Sequence, residues 1–160
     1  EHEKLVFRGP DHHAPAYCED GGIRDILLAL TEFGWEPVEE GGQVIAMRGP
    51  DGTVSLEPAG QLELSGAPLE NLHQTCAETG RHLAQVKEIG ERFGVGFLGL
   101  GMWPDKRRDE LPIMPKGRYE IMLRHMPRVG SMGLDMMLRT CTIQVNLDYS
   151  SEADMAHKFR

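Results

Sequence analysis

Carboxylate and amide side chains recur at every second residue in several stretches of this chain. In TCTIQVNLDYS (residues 140–150), Gln144, Asn146 and Asp148 alternate with apolar side chains. A period of two residues predicts a β-strand, because successive side chains on a strand point to opposite faces. The predicted strand has one apolar face and one face whose oxygen atoms can bind a cation or a polar ligand.

Acidic residues follow the same spacing elsewhere. Glu1 and Glu3 lie two residues apart at the start of the chain, and Glu63 lies within the predicted strand QLELSG. Glu57 has the same parity as Glu63, although the Pro-Ala-Gly bend between them can break the register. The sequence thus allows three strands to place carboxylates or amides on one surface of a sheet.

Clustered carboxylates repel each other unless a cation lies between them. Mg²⁺ takes oxygen ligands and commonly bridges carboxylates to nucleotide phosphates, so the pattern predicts a metal–phosphate site. A solvated strand surface is the alternative. The pattern alone leaves both interpretations open, because the sequence contains no metal-binding motif of fixed spacing.

Two further motifs were weighed as ligand sites. The loop MPKGRY (residues 114–119) enters a predicted helix, so Arg118 and Tyr119, together with Arg139, can offer cations and a phenol to an anionic ligand; an exposed loop is the alternative. GVGFLG (residues 94–99) fits a dinucleotide-binding pattern literally, but it follows a helix and runs into a strand, which is the reverse of the required order. Its glycines are therefore predicted to permit close packing.

Length, charge and cysteine content narrow the class of protein. The 160 residues suffice for one domain, and a formal net charge of −8 argues against a nucleic-acid partner. No apolar run is long enough to cross a bilayer, and there is no signal-peptide pattern, so no membrane partner is expected. The three cysteines form no CxxC pair, which indicates free thiols in a reducing cytoplasm.

Hydrophobic periodicity predicts an α+β fold with a mostly antiparallel sheet and helices on one face. Hairpin turns are predicted at the Gly-Gly pair 41–42 and at PDG (50–52), and Pro68 is expected to open the longest helix. Besides 140–150, the predicted strands cover residues 1–8, 35–39, 43–48, 53–57, 61–65 and 95–102. The predicted helices cover residues 23–33, 69–93, 118–126 and a stretch that Ser151 caps.

Several long motifs, taken in order, resemble the glutamate–cysteine ligase family of plants and alphaproteobacteria. The resemblance runs through nearly the whole chain and rests on EHEK, SLEPAGQLELSGAPLENLHQTCAE, GFLGLG, PIMPKGRYEIM and GLDMMLRTCTIQVNLDYSSEADMAHKFR. It implies a glutamine-synthetase-like carboxylate-amine ligase fold. It also implies ATP-dependent joining of the L-glutamate γ-carboxyl to the L-cysteine amine through a γ-glutamyl phosphate, the first step of glutathione synthesis.

The resemblance implies roles for individual residues, and none of them is a covalent catalyst. The ligands that it implies for about two or three Mg²⁺ ions are Glu1, Glu3, Glu57 and Glu63. The residues that it implies to face metal and nucleotide are Gln144 and Asn146. The residues that it implies to bind substrate are Arg118, Tyr119 and Arg139.

In the family the chain continues beyond HKFR. Residues 1–160 are therefore expected to be the N-terminal part of a single catalytic domain, inactive without the remainder of the same polypeptide. Plant members can pair a cysteine of the HQTC motif with a distant one; Cys76 has that position and is expected to be a free thiol here. Two alternatives remain: a non-catalytic remnant that binds nucleotide or a partner chain, and a γ-glutamyl ligase with another amine acceptor.

Overall fold

The computed structural model describes residues 1–50 and 52–160, and the α+β class predicted from the sequence is confirmed. These residues contain six strands and five α-helices. The strands are β1 (His2–Arg8), β2 (Glu36–Glu40), β3 (Gln43–Gly49), β4 (Gly52–Leu56), β5 (Leu62–Ser65) and β6 (Val95–Leu98). The helices are α1 (Ile23–Ala29), α2 (Leu72–Phe93), α3 (Gly117–Val129), α4 (Gly133–Arg139) and α5 (Glu152–Lys158).

The six strands form one antiparallel sheet in the order β2-β3-β4-β5-β1-β6. Consecutive hairpins build β2 to β5, and the first strand of the chain then lies between β5 and β6. The turn between β2 and β3 contains Gly41 and Gly42, whose φ angles of 58° and 78° favour glycine. Asp51, in the predicted PDG turn, lies outside the described residues. This order places the N-terminal strand directly beside β5.

Helices α1 and α2 pack against the sheet. Helix α1 contacts β3, α2 contacts β6, and the two helices contact each other. The core includes Ile26 and Leu27 from α1 with Met47, Val54 and Leu64 from the strands, all of them fully buried. None of the helices in the described part of the chain is both long and apolar enough to cross a membrane.

The longest helix begins later than the sequence predicts. Pro68 lies outside α2, and Asn71 caps the helix instead, because its side-chain oxygen accepts hydrogen bonds of 3.1 Å from the backbone nitrogens of His73 and Gln74. The predicted end is confirmed, since Gly94 closes α2 with a φ angle of 64°. The start of α2 is therefore set by the hydrogen bonds that the Asn71 side chain accepts, and not by Pro68.

Three other elements differ from their predicted extent. Strand β6 ends at Leu98, where its pairing with Leu5 of β1 stops, and not at residue 102. Helix α3 continues past residue 126 and accommodates Pro127 within its last turns. Helix α4 occupies the glycine-containing connection before residue 140, for which the sequence predicts no helix.

The predicted strand over residues 140–150 is wrong in its extent and in its buried apolar face. Ile143 forms a bridge with His2 of β1 and Thr140 forms one with Met102. The described pairing with β1 runs as far as Gln144, whose backbone nitrogen donates to the Glu1 carbonyl at 3.0 Å. Residues 144–150 form no strand in the described structure. The apolar side chains predicted to form the buried face are between 61% and 74% exposed; they are Ile143, Val145, Leu147 and Tyr149.

The glycines of GVGFLG provide a matched test of the packing interpretation. A Cβ atom on Gly96 would lie 2.4 Å from the Phe7 ring, whereas one on Gly99 would meet nothing within 4 Å. We expect Gly96→Ala to lower the free energy of unfolding by about 1–3 kcal/mol through overpacking, and Gly99→Ala to leave it nearly unchanged. Urea unfolding of both variants checks this; equal losses would contradict the interpretation.

Candidate metal centre

Glu3 and Glu63 are direct neighbours across two strands. Glu3 of β1 lies opposite Glu63 of β5 in the antiparallel register, so the two side chains leave the same face of the sheet. Leu62 and Leu64, which alternate with Glu63, point to the other face and are fully buried. The apolar burial of these two leucines therefore fixes the face that Glu63 occupies.

Glu57 joins this pair despite the bend that separates it from Glu63. It directly follows β4, and Ser55, two residues earlier, is paired with Glu63. The bend keeps its shape through two backbone hydrogen bonds, from Glu57 N to the Gln61 carbonyl at 2.8 Å and from Gly60 N to the Glu57 carbonyl at 2.9 Å. One carboxylate oxygen from each of Glu3, Glu57 and Glu63 lies within 4.8 Å of the others. We call these three residues the carboxylate cluster.

One donor orients each carboxylate of the cluster. The Ser65 hydroxyl donates to Glu63 Oε1 at 2.6 Å, and the backbone nitrogen of Thr142 donates to Glu3 Oε2 at 2.7 Å. The third carboxylate, that of Glu57, receives a longer contact of 3.4 Å from Arg118 Nη2. These contacts restrain the three carboxylates beside one another.

Electrostatics in the cluster favour protonation when no cation is bound. The pKa of the Glu57 carboxyl is raised to about 7, first by burial and then by the nearby Glu63 carboxylate, against the opposing effect of Lys116 and Arg118. Burial also raises the pKa of Glu3, and the hydrogen bond from Thr142 opposes this. The carboxylates are partly removed from water, so their negative charges are poorly solvated. Binding of a divalent cation is therefore favourable, because one cation neutralises several of these charges.

The arrangement suits a hard divalent cation. Mg²⁺ and Mn²⁺ prefer carboxylate oxygens and keep several positions for water or phosphate oxygens. Three half-buried carboxylates with converging oxygens supply such a ligand set from β1, β5 and the turn after β4. A cavity of about 220 Å³ adjoins Glu3 and is lined mainly by the glycine-rich segment 99–101 and by residues 141–143. It offers space for a small ligand beside the cluster.

Glu1 and the two predicted amides lie at the edge of this site. The described structure does not place Glu1 among the three converging carboxylates, and its amino group donates to the Gln144 carbonyl at 2.8 Å. Backbone pairing sets Gln144 opposite Glu1, so its side chain shares the face of Glu3. The Gln144 amide donates to Asn146 Oδ1 at 2.8 Å, and both side chains are exposed. Their predicted ligand roles stay predictions.

The three residues predicted to bind substrate occupy different environments. Arg118 lies beside Glu57, as described above. Tyr119 is 1% exposed, and its hydroxyl donates to the Leu56 carbonyl at 2.8 Å. Arg139 pairs within α4, with its Nη1 atom 3.1 Å from Asp135 Oδ1. Of the three, Arg118 is the one that the described structure brings to the carboxylate cluster.

Sequence reasoning missed the structural role of two polar residues near the site. Gln61 is 2% exposed; its Oε1 accepts from Ala59 N at 2.9 Å, and its Nε2 donates to the carbonyls of Leu138 at 3.2 Å and Thr140 at 2.8 Å. The second residue is Lys116, whose buried ammonium donates to a backbone carbonyl. Their polar character alone gave no signal of these long-range contacts.

The three cysteines lie apart from one another, and their predicted state as free thiols stays a prediction. Cys18 and Cys76 are exposed and Cys141 is buried, and none of the three forms a disulfide in the described structure. Burial raises the pKa of the Cys141 thiol to about 11, so it is protonated at neutral pH and unreactive. No redox role follows from these positions.

Comparison with known proteins agrees with the resemblance. A family model described as glutamate-cysteine ligase family 2 matches residues 1–160. The chain is 56% identical to the chloroplastic glutamate–cysteine ligase of Arabidopsis thaliana, over 100% of this chain and 30% of the relative. It is 56% identical to the chloroplastic glutamate–cysteine ligase A of Oryza sativa subsp. japonica, covering 32% of that protein. The chain spans about a third of the length of the curated relatives that it matches.

The raised pKa of Glu57 predicts a pH-dependent stability. In metal-free buffer, the folded chain keeps a proton on Glu57 up to a pH of about 7, whereas the unfolded chain loses it near the ordinary value of 4.5. The contribution of Glu57 to the stability therefore falls as the pH rises through this window, and levels off above it. Glu57→Gln cannot ionise, so we expect its stability relative to the wild type to rise over the same window.

Urea unfolding with a chelator present, at several pH values across this window, checks the expectation. Glu88→Gln is the matched control, because it removes the same charge from an exposed position on α2. A difference between Glu57→Gln and the wild type that stays constant with pH would contradict the proposed electrostatics of the cluster.

Proposed function

The chain belongs to the glutamate-cysteine ligase family 2, and from that premise we propose that its protein joins the γ-carboxyl of L-glutamate to the amine of L-cysteine at the expense of ATP. This reaction is the first step of glutathione synthesis. The observation that carries the proposal is the convergence of Glu3, Glu57 and Glu63 on one face of the sheet. Phosphoryl transfer from a nucleotide needs such a set of oxygen ligands.

The proposed reaction has two steps, phosphorylation of the carboxylate and then formation of the amide. The glutamate γ-carboxylate attacks the γ-phosphorus of ATP, which gives a γ-glutamyl phosphate and ADP. The cysteine amine then attacks the acyl carbon, phosphate leaves, and the amine proton is lost to solvent or base. Neither step requires a protein nucleophile, because positioning and charge neutralisation account for most of the catalysis.

This chain contributes ligands and charge to the site. Glu3, Glu57 and Glu63 would hold Mg²⁺, and Glu1, two residues before Glu3, would add an oxygen. The bound metal would neutralise the phosphate charge that develops during transfer. The Arg118 side chain lies beside Glu57 and is 60% exposed. It can therefore reach an anionic oxygen of a ligand. Gln144 and Asn146, on the neighbouring segment, extend the polar surface toward the nucleotide.

Other proposed contributions are indirect or lie outside these residues. Tyr119 and Arg139 would support the substrate pocket from positions already bonded to Leu56 and Asp135. We assign residues 1–160 to the N-terminal part of a glutamine-synthetase-like catalytic domain, which the remainder of the same polypeptide completes. A cytoplasmic location stays a prediction, and the relatives named above are chloroplastic.

Replacing one ligand tests the proposed role of the cluster. In the full-length protein, we expect Glu63→Gln to lower the rate of γ-glutamylcysteine formation at least about 100-fold, because the metal supplies several kcal/mol of charge stabilisation. The fold should persist, since the amide keeps the size of the carboxylate and can still bond to Ser65. Product formation and the circular dichroism spectrum are the measurements.

Glu88→Gln serves again as the charge-matched control and should retain full turnover. Unchanged turnover in Glu63→Gln would remove this residue from the site. Turnover with another amine in place of L-cysteine, at a higher rate than with L-cysteine itself, would keep the chemistry and change the proposed acceptor.

A further inference from the structure

Two buried donors converge on one backbone carbonyl next to the carboxylate cluster. The Lys116 ammonium donates to the Leu56 carbonyl at 2.6 Å, and the Tyr119 hydroxyl donates to the same oxygen at 2.8 Å. Lys116 is 8% exposed and Tyr119 is 1% exposed. Because the Leu56 carbonyl belongs to the peptide that leads into Glu57, both hydrogen bonds act on the backbone that carries this carboxylate.

The same loop also holds the backbone on the other side of Glu57. The Met114 nitrogen donates to the Pro58 carbonyl at 2.9 Å. The loop itself is ordered by hydrogen bonds of 2.9 Å from Lys116 N to the Met114 carbonyl and from Tyr119 N to the Lys116 carbonyl. Residues 114–119 therefore form hydrogen bonds with the backbone immediately before and after Glu57.

A buried ammonium is a costly way to hold a backbone carbonyl. Removing a charge from water carries a large penalty unless hydrogen bonds and an opposite charge compensate it. Here the compensation comes from the Leu56 carbonyl and from the nearby carboxylates, Glu63 among them. An apolar side chain at position 116 would fill the same space without this penalty. We therefore infer that the ammonium has a role other than packing, namely to fix the position of Glu57.

We propose that Lys116 and Tyr119 are positioning residues, which act through the Leu56 carbonyl to keep the Glu57 carboxylate within reach of Glu3 and Glu63. We call their two hydrogen bonds the carbonyl clamp. The proposal rests on the proposed function, since it takes the cluster to be the divalent-cation site. Without the clamp, the turn after β4 is free to move, and Glu57 contributes less to cation binding.

The test measures Mn²⁺ affinity of the full-length protein by electron paramagnetic resonance. Tyr119→Phe removes only the hydroxyl, and Lys116→Met removes the ammonium, with its charge and its hydrogen bond to the Leu56 carbonyl, at similar length. We expect Tyr119→Phe to weaken Mn²⁺ binding about 2- to 10-fold, the range that one hydrogen bond of ordinary strength supplies. Lys116→Met should also weaken it, by less, because the loss of the nearby positive charge favours the cation. In a Glu57→Gln background the same substitutions should change the affinity by less than about 2-fold, because their effect passes through Glu57.

Tyr17→Phe is the matched control for a merely structural role. The Tyr17 hydroxyl also donates to a backbone carbonyl, that of Val44 at 2.9 Å, and Tyr17 is likewise buried. This variant should lose stability to a similar degree without any change in Mn²⁺ affinity. If Tyr17→Phe weakened Mn²⁺ binding as much as Tyr119→Phe does, the clamp would be an ordinary core contact and the proposal would be overturned.

The remaining outcomes separate the clamp from the site that it serves. If Glu57→Gln weakens Mn²⁺ binding but the clamp variants do not, or if their effects simply add to it, the clamp proposal is wrong and the proposed cation site stands. If Glu57→Gln itself leaves Mn²⁺ binding unchanged, the cluster does not use Glu57, and the proposed site and the clamp fail together.

Discussion

Three half-buried carboxylates repel one another at this site, and the rest of the site must compensate for that repulsion. Glu3, Glu57 and Glu63 approach within 4.8 Å, and the sheet register does not allow the first and third to separate. Without a cation, protonation relieves the repulsion, because burial first and then the Glu63 carboxylate raise the pKa of Glu57 to about 7. The nearby positive charges of Lys116 and Arg118 oppose this rise. A bound divalent cation relieves it more completely, so the folded cluster is prepared for one.

Strand periodicity predicted the part of the site that depends on neighbouring residues within strands. Glu3 and Glu63 share a face because alternate leucines beside Glu63 are buried, and a period of two residues reveals this in the sequence. The position of Glu57 was open, since a bend between strands can rotate a side chain either way. Backbone hydrogen bonds within the bend settle it, and the sequence gives no direct signal of them.

The remaining differences arise from contacts between distant parts of the chain. The alternation in residues 140–150 predicts a strand, but in the described structure the start of this segment pairs with β1 and the apolar side chains that follow are exposed. Lys116 and Gln61 are polar residues whose sequence context suggests exposure. Each is buried because it bonds to a carbonyl more than fifty residues away, which no local pattern encodes.

The most direct test of the cation site is anomalous diffraction from crystals of the full-length protein grown with Mn²⁺. We expect a manganese peak bonded to carboxylate oxygens of Glu3, Glu57 and Glu63. Crystals in which manganese binds elsewhere, or in which these three side chains turn away from one another at full manganese occupancy, would contradict it.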